Sequence, residues 1–186
     1  MIKKVITAKN IGFCFGVKKA IDTARKYASE GICTLGSIIH NKLVVEELER
    51  QGLKTVKDVD DITTQKVIIR SHGEGRATYE ALKKKGIQII DTTCPFVKKT
   101  HNIIKKHYEQ GYQIVIAGIK SHSEVRGING WCNNSAIIIS SVEEIPQIES
   151  DKICVVAQTT FSVEKYNRIT EYFDNLNEKS VVVFNT

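Results

Sequence analysis

The feature that most limits what this chain can fold into is a cysteine placed twice in the same setting, about 80 residues apart, each time between a strand-like run and a helix-like run. Ile11-Gly12-Phe13-Cys14-Phe15-Gly16-Val17 follows the apolar run Val5 to Ala8, and Asp91-Thr92-Thr93-Cys94-Pro95 follows Ile87 to Ile90. A thiol where a helix begins lies at the positive end of the peptide dipoles, which favours the thiolate, the form that binds metal or attacks electrophiles. Both positions are therefore candidates for chemistry.

Helical spacing surrounds both cysteines. Val17, Ala20, Ile21, Ala24, Tyr27 and Ala28 recur on one face, as do Val97, His101, Ile104 and Tyr108 after Pro95, a residue favoured in a first helical turn. Further helices are predicted at Lys42 to Arg50, Ala77 to Lys85, His122 to Gly130 and Val163 to Leu176. Short apolar runs alternate with them at Ile32 to Leu35, Val67 to Ile69, Ile87 to Ile90, Ile114 to Ala117, Ala136 to Ile139, Ile153 to Ala157 and Val181 to Phe184. This alternation predicts an α/β fold of small parallel sheets flanked by helices.

The order of events repeats. Cys14 is followed after 26 residues by His40 and after 58 by His72, each in a loop after a strand. Cys94 is followed after 28 residues by His122 and after 65 by Thr159, in the corresponding loops. The chain thus reads as two pseudo-repeated units, 14–93 and 94–186, with residues 1–13 as an opening strand outside both. By the repeat, another cysteine is expected after Val181 to Phe184, in a third unit whose sheet the opening strand completes. Loops at the carboxyl ends of parallel strands face the crevice where ligands bind, so these six loops can converge on one site. The plainer alternative, that each histidine only packs its own loop, weakens when the loops are taken as a set.

Five cysteines, Cys14, Cys33, Cys94, Cys132 and Cys154, form an odd, widely spaced set without a C-x-x-C pair. That pattern argues against a disulfide framework and against a compact zinc finger. Cys33, Cys132 and Cys154 read as small buried hydrophobes. No run of about 18 apolar residues is present and the short start carries no cleavage site, so no membrane partner and a cytoplasmic setting are expected. A net charge of +6 suits an anionic partner. Much of that excess is lysine on helix faces, as in Lys83-Lys84-Lys85 and Lys98-Lys99, and no basic strand is interleaved with aromatics, which disfavours nucleic acid.

The chain resembles the LytB/IspH family of 4-hydroxy-3-methylbut-2-enyl diphosphate reductases over nearly all of its 186 residues. The motifs are Gly12-Phe13-Cys14, Ile39-His40-Asn41, Ser71-His72-Gly73, Asp91-Thr92-Thr93-Cys94-Pro95, His122-Ser123-Glu124-Val125 and Gln158-Thr159-Thr160. Each is weak alone, and together, in order and at matching spacing, they are specific. The resemblance implies a trefoil of three α/β units, of which this chain holds two, around a central 4Fe-4S cluster. It implies that Cys14 and Cys94 are two of three cysteine ligands, with the third beyond residue 186, and that one iron stays open for the substrate oxygen. His40, His72 and His122 would bind the diphosphate, Glu124 with His122 would belong to proton delivery, and Thr159 would sit beside the substrate hydroxyl. The implied partners are a small-molecule allylic diphosphate and reduced ferredoxin or flavodoxin as electron donor. Many relatives carry proline where this chain has Ser123, a change expected to leave His122 and Glu124 in place. No role is extended to Thr160 or His101.

Two other readings stand beside this one. A basic two-unit module can bind phosphorylated ligands or nucleic acid without redox chemistry, with affinity that falls with salt and ignores the cysteines. A thiol enzyme can use Cys14 or Cys94 as nucleophile with a histidine base. Iron and sulfide analysis separates both from the reductase.

Overall fold

The structure is a computed structural model that describes residues 4, 6, 7, 9 and 11–185. Its first half runs α1 (Phe15–Ala28), β1 (Cys33–Leu35), α2 (Lys42–Arg50), β2 (Lys54–Val56), β3 (Lys66–Ile69), α3 (Arg76–Lys84) and β4 (Gln88–Asp91). Its second half runs α4 (Pro95–Glu109), β5 (Gln113–Ala117), α5 (Ser123–Asn129), β6 (Ile137–Ile139), β7 (Lys152–Ala157), α6 (Val163–Asp174) and β8 (Ser180–Val183). The two lists match element for element. Each half forms one four-stranded sheet, ordered β2-β1-β3-β4 and β6-β5-β7-β8, and every pairing is parallel. The α/β class and its internal repetition follow from the alternation of apolar runs.

Side chains alternate across each sheet because successive residues of a strand point to opposite faces. In the first sheet Ile68 packs with Ala20, Ile21, Ala24 and Leu48 from α1 and α2, whereas Val67 and Ile69 pack with Leu82 of α3. In the second, Ile114, Ile116, Cys154 and Val156 face Ile104 and Ile128 of α4 and α5. Val115, Ile153 and Val155 face Tyr166, Ile169 and Phe173 of α6. Burying each large apolar side chain contributes about 1.5 to 3 kcal/mol, and the central strands are apolar on both faces because helices cover both.

The sequence expectations differ from the structure in two places. Strand β2 is not among the predicted runs: Lys54-Thr55-Val56 is three residues long, lies at the sheet edge and buries little, so it carries no apolar signal. Its counterpart β6, three isoleucines at the matching edge, is visible in the sequence. The opening strand expected near Lys4 to Ala8 lies partly outside the described residues, Val5 and Ala8 being among those not described, while Lys4, Ile6 and Thr7 carry no strand assignment.

Cys33, Cys132 and Cys154 are buried, as expected of small core residues. Burial pushes the Cys154 thiol up to about 12 and raises that of Cys132 as well, so both stay protonated and inert. Lys83, Lys84, Lys85, Lys98 and Lys99 are all exposed. No described helix is long and apolar enough to cross a membrane.

Candidate functional site

The sheets carry their functional loops on hydrogen bonds that continue the ladders past the strand ends. Ser71 N–H donates to Ile38 O (3.2 Å) and Cys94 N–H donates to Ser71 O (2.7 Å), which locks the loops bearing His40, His72 and Cys94 to one another. In the second half Gln158 N–H donates to Ala117 O (2.9 Å), and Gln158 Oε1 accepts from Ile119 N–H (3.1 Å). Buried Gln158 also donates to Thr160 Oγ1 (2.8 Å), so the Gln158-Thr159-Thr160 loop is braced from both sides.

These loops border one cavity of about 360 Å³, and all seven residues singled out from the sequence line it: Cys14, His40, His72, Cys94, His122, Glu124 and Thr159. Four helices begin at its wall. Cys14, Asn41, Cys94 and His122 are the N-cap residues of α1, α2, α4 and α5. The Asn41 side chain accepts from Val44 N–H, whereas neither cysteine makes a side-chain cap bond, which leaves both sulfurs available. A larger groove of about 610 Å³ includes Arg70, Arg76 and Arg126. Two of these arginines are engaged by Glu74 and Glu80, and none of the seven residues faces that groove, so the smaller cavity is the candidate site.

A glycine lets the two thiols share the cavity. Gly16 is buried in the first turn of α1, and a Cβ there would lie 2.8 Å from Cys94 Sγ. The sulfur of the second half therefore rests on the helix that follows the sulfur of the first. Cys14 is exposed and Cys94 half-buried. Their soft sulfur donors in one cavity fit an iron-sulfur centre as part of a ligand set. Among the described residues, no group of three or more His, Cys, Asp or Glu side chains is arranged to hold a metal ion.

The histidines gather opposite. His40 and His72 stack with ring centroids 4.6 Å apart and planes 12° from parallel, and His122 lies 5.3 Å from His40. Burial, with the positive charge of Arg70 and the neighbouring imidazoles, pulls His72 down to about 3. Desolvation, then His122 and Arg70, lowers His40, which is exposed at the cavity edge. Both rings are neutral at pH 7 in the ligand-free protein. His72 Nε2 is buried without a hydrogen-bond partner, and such an atom is costly unless a ligand meets it. His122 Nδ1 accepts from Glu124 N–H (3.2 Å), which leaves a neutral ring with its proton on Nε2.

The carboxylate of Glu124 is buried and held on both oxygens. Oε1 accepts from Thr159 N–H (2.6 Å) and Oε2 from Thr159 Oγ1 (2.9 Å), across 35 residues. Glu124 thereby joins the first strand loop of the second half to the third.

Three further residues matter here to which the sequence reading gave no role in the site. Ser123 Oγ lies 3.2 Å from His40 Nε2, a bond between the halves. His101 is buried, stacked on Trp131 at 5.1 Å, and its Cε1 would be 2.7 Å from a Cβ on Gly73, which has φ +73°. Trp131 Nε1–H donates to Glu74 O (3.0 Å), so this aromatic pair supports the turn just after His72. Burial lowers His101 to about 4. The helical period places His101 on a buried face, but contacts between separate loops leave no trace in a single sequence.

Two parallel sheets meeting at a cavity with paired sulfurs, clustered imidazoles and a buried carboxylate define the class: an α/β protein of two repeated units around one shared cavity. The LytB protein family model matches residues 5–186, and the chain belongs to that family. It is 44% identical over 193 residues to the 4-hydroxy-3-methylbut-2-enyl diphosphate reductase of Thermoanaerobacter sp. (strain X514), covering 98% of this chain and 66% of that protein. It is 46% identical over 187 residues to the same-named reductase of Clostridioides difficile (strain 630), covering 96% of this chain and 66% of that protein. A solved structure of (E)-4-hydroxy-3-methyl-but-2-enyl diphosphate reductase, described as the terminal enzyme of the non-mevalonate pathway, matches with a TM-score of 0.81 and 36% identity over 97% of this chain and 66% of that one. The chain thus spans slightly less than two thirds of the length of these relatives.

Proposed function

We propose that this chain forms the two-unit portion, 14–93 and 94–186, of a 4-hydroxy-3-methylbut-2-enyl diphosphate reductase, which replaces the allylic hydroxyl of its substrate by hydrogen to give isopentenyl and dimethylallyl diphosphate. The net change, loss of the hydroxyl as water, consumes two electrons and two protons. Cys14 and Cys94 would hold a 4Fe-4S cluster from one side. When bound, that group supplies the electrons and a Lewis-acidic iron for the departing oxygen. A reduced ferredoxin or flavodoxin in the cytoplasm would replenish the electrons.

The chain's own residues do the rest. His40, His72 and His122 donate N–H groups to the diphosphate, and the unpartnered Nε2 of His72 gains a partner when the anion enters. An anion beside the lowered imidazoles His40 and His72 raises their proton affinity, so binding takes up protons and strengthens as pH falls toward 6. Thr159 Oγ1 donates to Glu124 Oε2 and both residues line the cavity, so a proton taken up by Glu124 can be relayed through this pair to the leaving hydroxyl. The observation that carries the reading is the convergence of both sulfurs, three imidazoles and the Glu124–Thr159 pair on one cavity.

The test is anaerobic reconstitution with iron and sulfide of a chimera joining this chain to the last third of the Clostridioides difficile relative. The expected product absorbs broadly near about 400 nm, contains iron and sulfide, and turns over the hydroxylated diphosphate with a chemical reductant. Cys14→Ser should lose the absorbance and the turnover. Normal turnover in that variant would remove the proposed ligation.

A further inference from the structure

Helix α5 begins with a residue whose local role does not explain it. Ser123 occupies the first helical position after the His122 N-cap, where proline is favoured because its missing N–H has no partner there anyway. The chain uses proline at the equivalent place after Cys94. Helix initiation is already served at α5 by His122 Nδ1, which accepts from Glu124 N–H. Ser123 is nevertheless buried, 7% exposed, and its hydroxyl meets His40 Nε2 at 3.2 Å across a separation of 83 residues. That ring stacks on His72 and touches His122, so it is the centre of the imidazole group.

We infer that Ser123 is a positioning residue of the anion site: its hydroxyl holds the His40 ring against His72 and stays bonded to it whether that imidazole is neutral or protonated. A hydroxyl has one proton to give and two lone pairs to accept with. Beside a neutral ring it can donate to a bare Nε2. Beside an imidazolium, both of whose nitrogens carry protons, it turns and accepts from Nε2–H. An asparagine or carboxylate would bias one state, and a proline could serve neither. The charged and titratable groups around His40 are His72 and Arg70 from the loop after β3, His122 and Glu124 from the start of α5, Lys42, Glu46 and Glu49 from α2, and the cysteines Cys14 and Cys94 across the cavity. A multiply charged phosphate ligand draws a proton onto His40, and Ser123 then supplies the acceptor that keeps the cation from turning away. The inference rests on the diphosphate reading of the site for its binding consequence, but not for the contact itself.

The experiment uses the 186-residue chain as wild type and as Ser123→Ala, Ser123→Pro and Ser123→Thr. Imidazole ¹⁵N shifts of His40, assigned by loss of its signals in His40→Asn, are followed with pH without ligand, and inorganic diphosphate binding is measured by calorimetry. Ser123→Ala and Ser123→Pro should alter the His40 tautomer ratio and titration. They should also weaken diphosphate binding about three- to tenfold, the size of one ordinary net hydrogen bond, while Ser123→Thr restores both. Proline keeps the helix start intact, so a loss there is not a folding defect. Unchanged His40 shifts in Ser123→Ala, or altered shifts with unchanged affinity, overturn the inference. Failure of the wild type itself to bind diphosphate overturns the proposed ligand instead, and the ligand-free ring spectra still decide the role of Ser123.

Discussion

The two halves of this protein share a plan and divide the chemistry. Each begins with an N-cap cysteine and places strands in the same order, yet the loops that follow corresponding strands differ. After the first strand, one half presents His40 and the other His122-Ser123-Glu124; after the third, one presents His72 and the other Thr159. On the proposed function, the first half would contribute His40 and His72 to grip an anion, and the second would add the third ring, His122, and the buried carboxylate–hydroxyl pair that handles a proton. Repetition has conserved the scaffold that aims loops at a common centre while freeing each loop to specialise. The cores differ too: Tyr166 and Phe173 of α6 are buried against one face of the second sheet, where the matching face of the first buries Leu82 of α3 with Tyr79 only partly buried beside it.

The sharpest break of that division is Glu124→Gln in the reconstituted chimera. Removing the acid–base group should lower kcat by about 10²- to 10⁴-fold with little effect on KM, whereas His72→Asn should act mainly on KM. Equal effects on both constants from both variants would erase the proposed split. Next in size is the core contrast: Phe173→Ala, at a fully buried position, should cost about 3 to 5 kcal/mol of stability in urea unfolding. A loss under 1 kcal/mol would mean that α6 is not held by that core.

Acid provides a third comparison. His72 at about 3 and His101 at about 4 lie below the usual value for the unfolded chain. The unfolded state therefore binds more protons, and stability rises with pH between these values and about 6.5. Going from pH 7 to pH 5 should cost up to about 2 kcal/mol for each ring, read as a lower urea midpoint, and His101→Phe should remove its share. Of similar size is Gly16→Ala, whose new methyl meets Cys94 Sγ. It should cost about 1 to 3 kcal/mol and lower iron incorporation in the chimera, while Gly31→Ala, with open space around it but φ +66°, should cost less.

Much of this was legible from residue pattern, for reasons that are local. Helix spacing after Cys14 and Cys94 and apolar runs such as Ile153 to Ala157 report periodicity directly. Six of the seven candidate residues stand out because cysteine and histidine after strands are chemically conspicuous and recur in register, Thr159 falling in the corresponding loop, whereas Glu124 entered only through the family resemblance. Strand β2 was missed because an exposed edge strand of three residues owes its shape to its neighbour β1, not to its own composition. Repetition itself carried the missing signal, since β6 occupies the matching edge. Ser123 against His40, Gly16 against Cys94 and His101 beneath Gly73 were illegible for a different cause. Each depends on the distance between loops far apart in the chain, which no periodicity encodes.

The four helices that start at the cavity wall have a consequence of their own. Peptide dipoles carry no exchangeable charge, so the pull they exert on an approaching polyanion is the same in acid and in alkali. Above neutrality, where His40 and His72 have long been uncharged, that background remains. Only mobile ions can mask it, over a distance of about 8 Å at physiological salt. Capture at high pH should therefore respond to salt concentration and not to the protonation of His40 or His72, leaving the imidazoles to decide how tightly a guest is held once it has arrived.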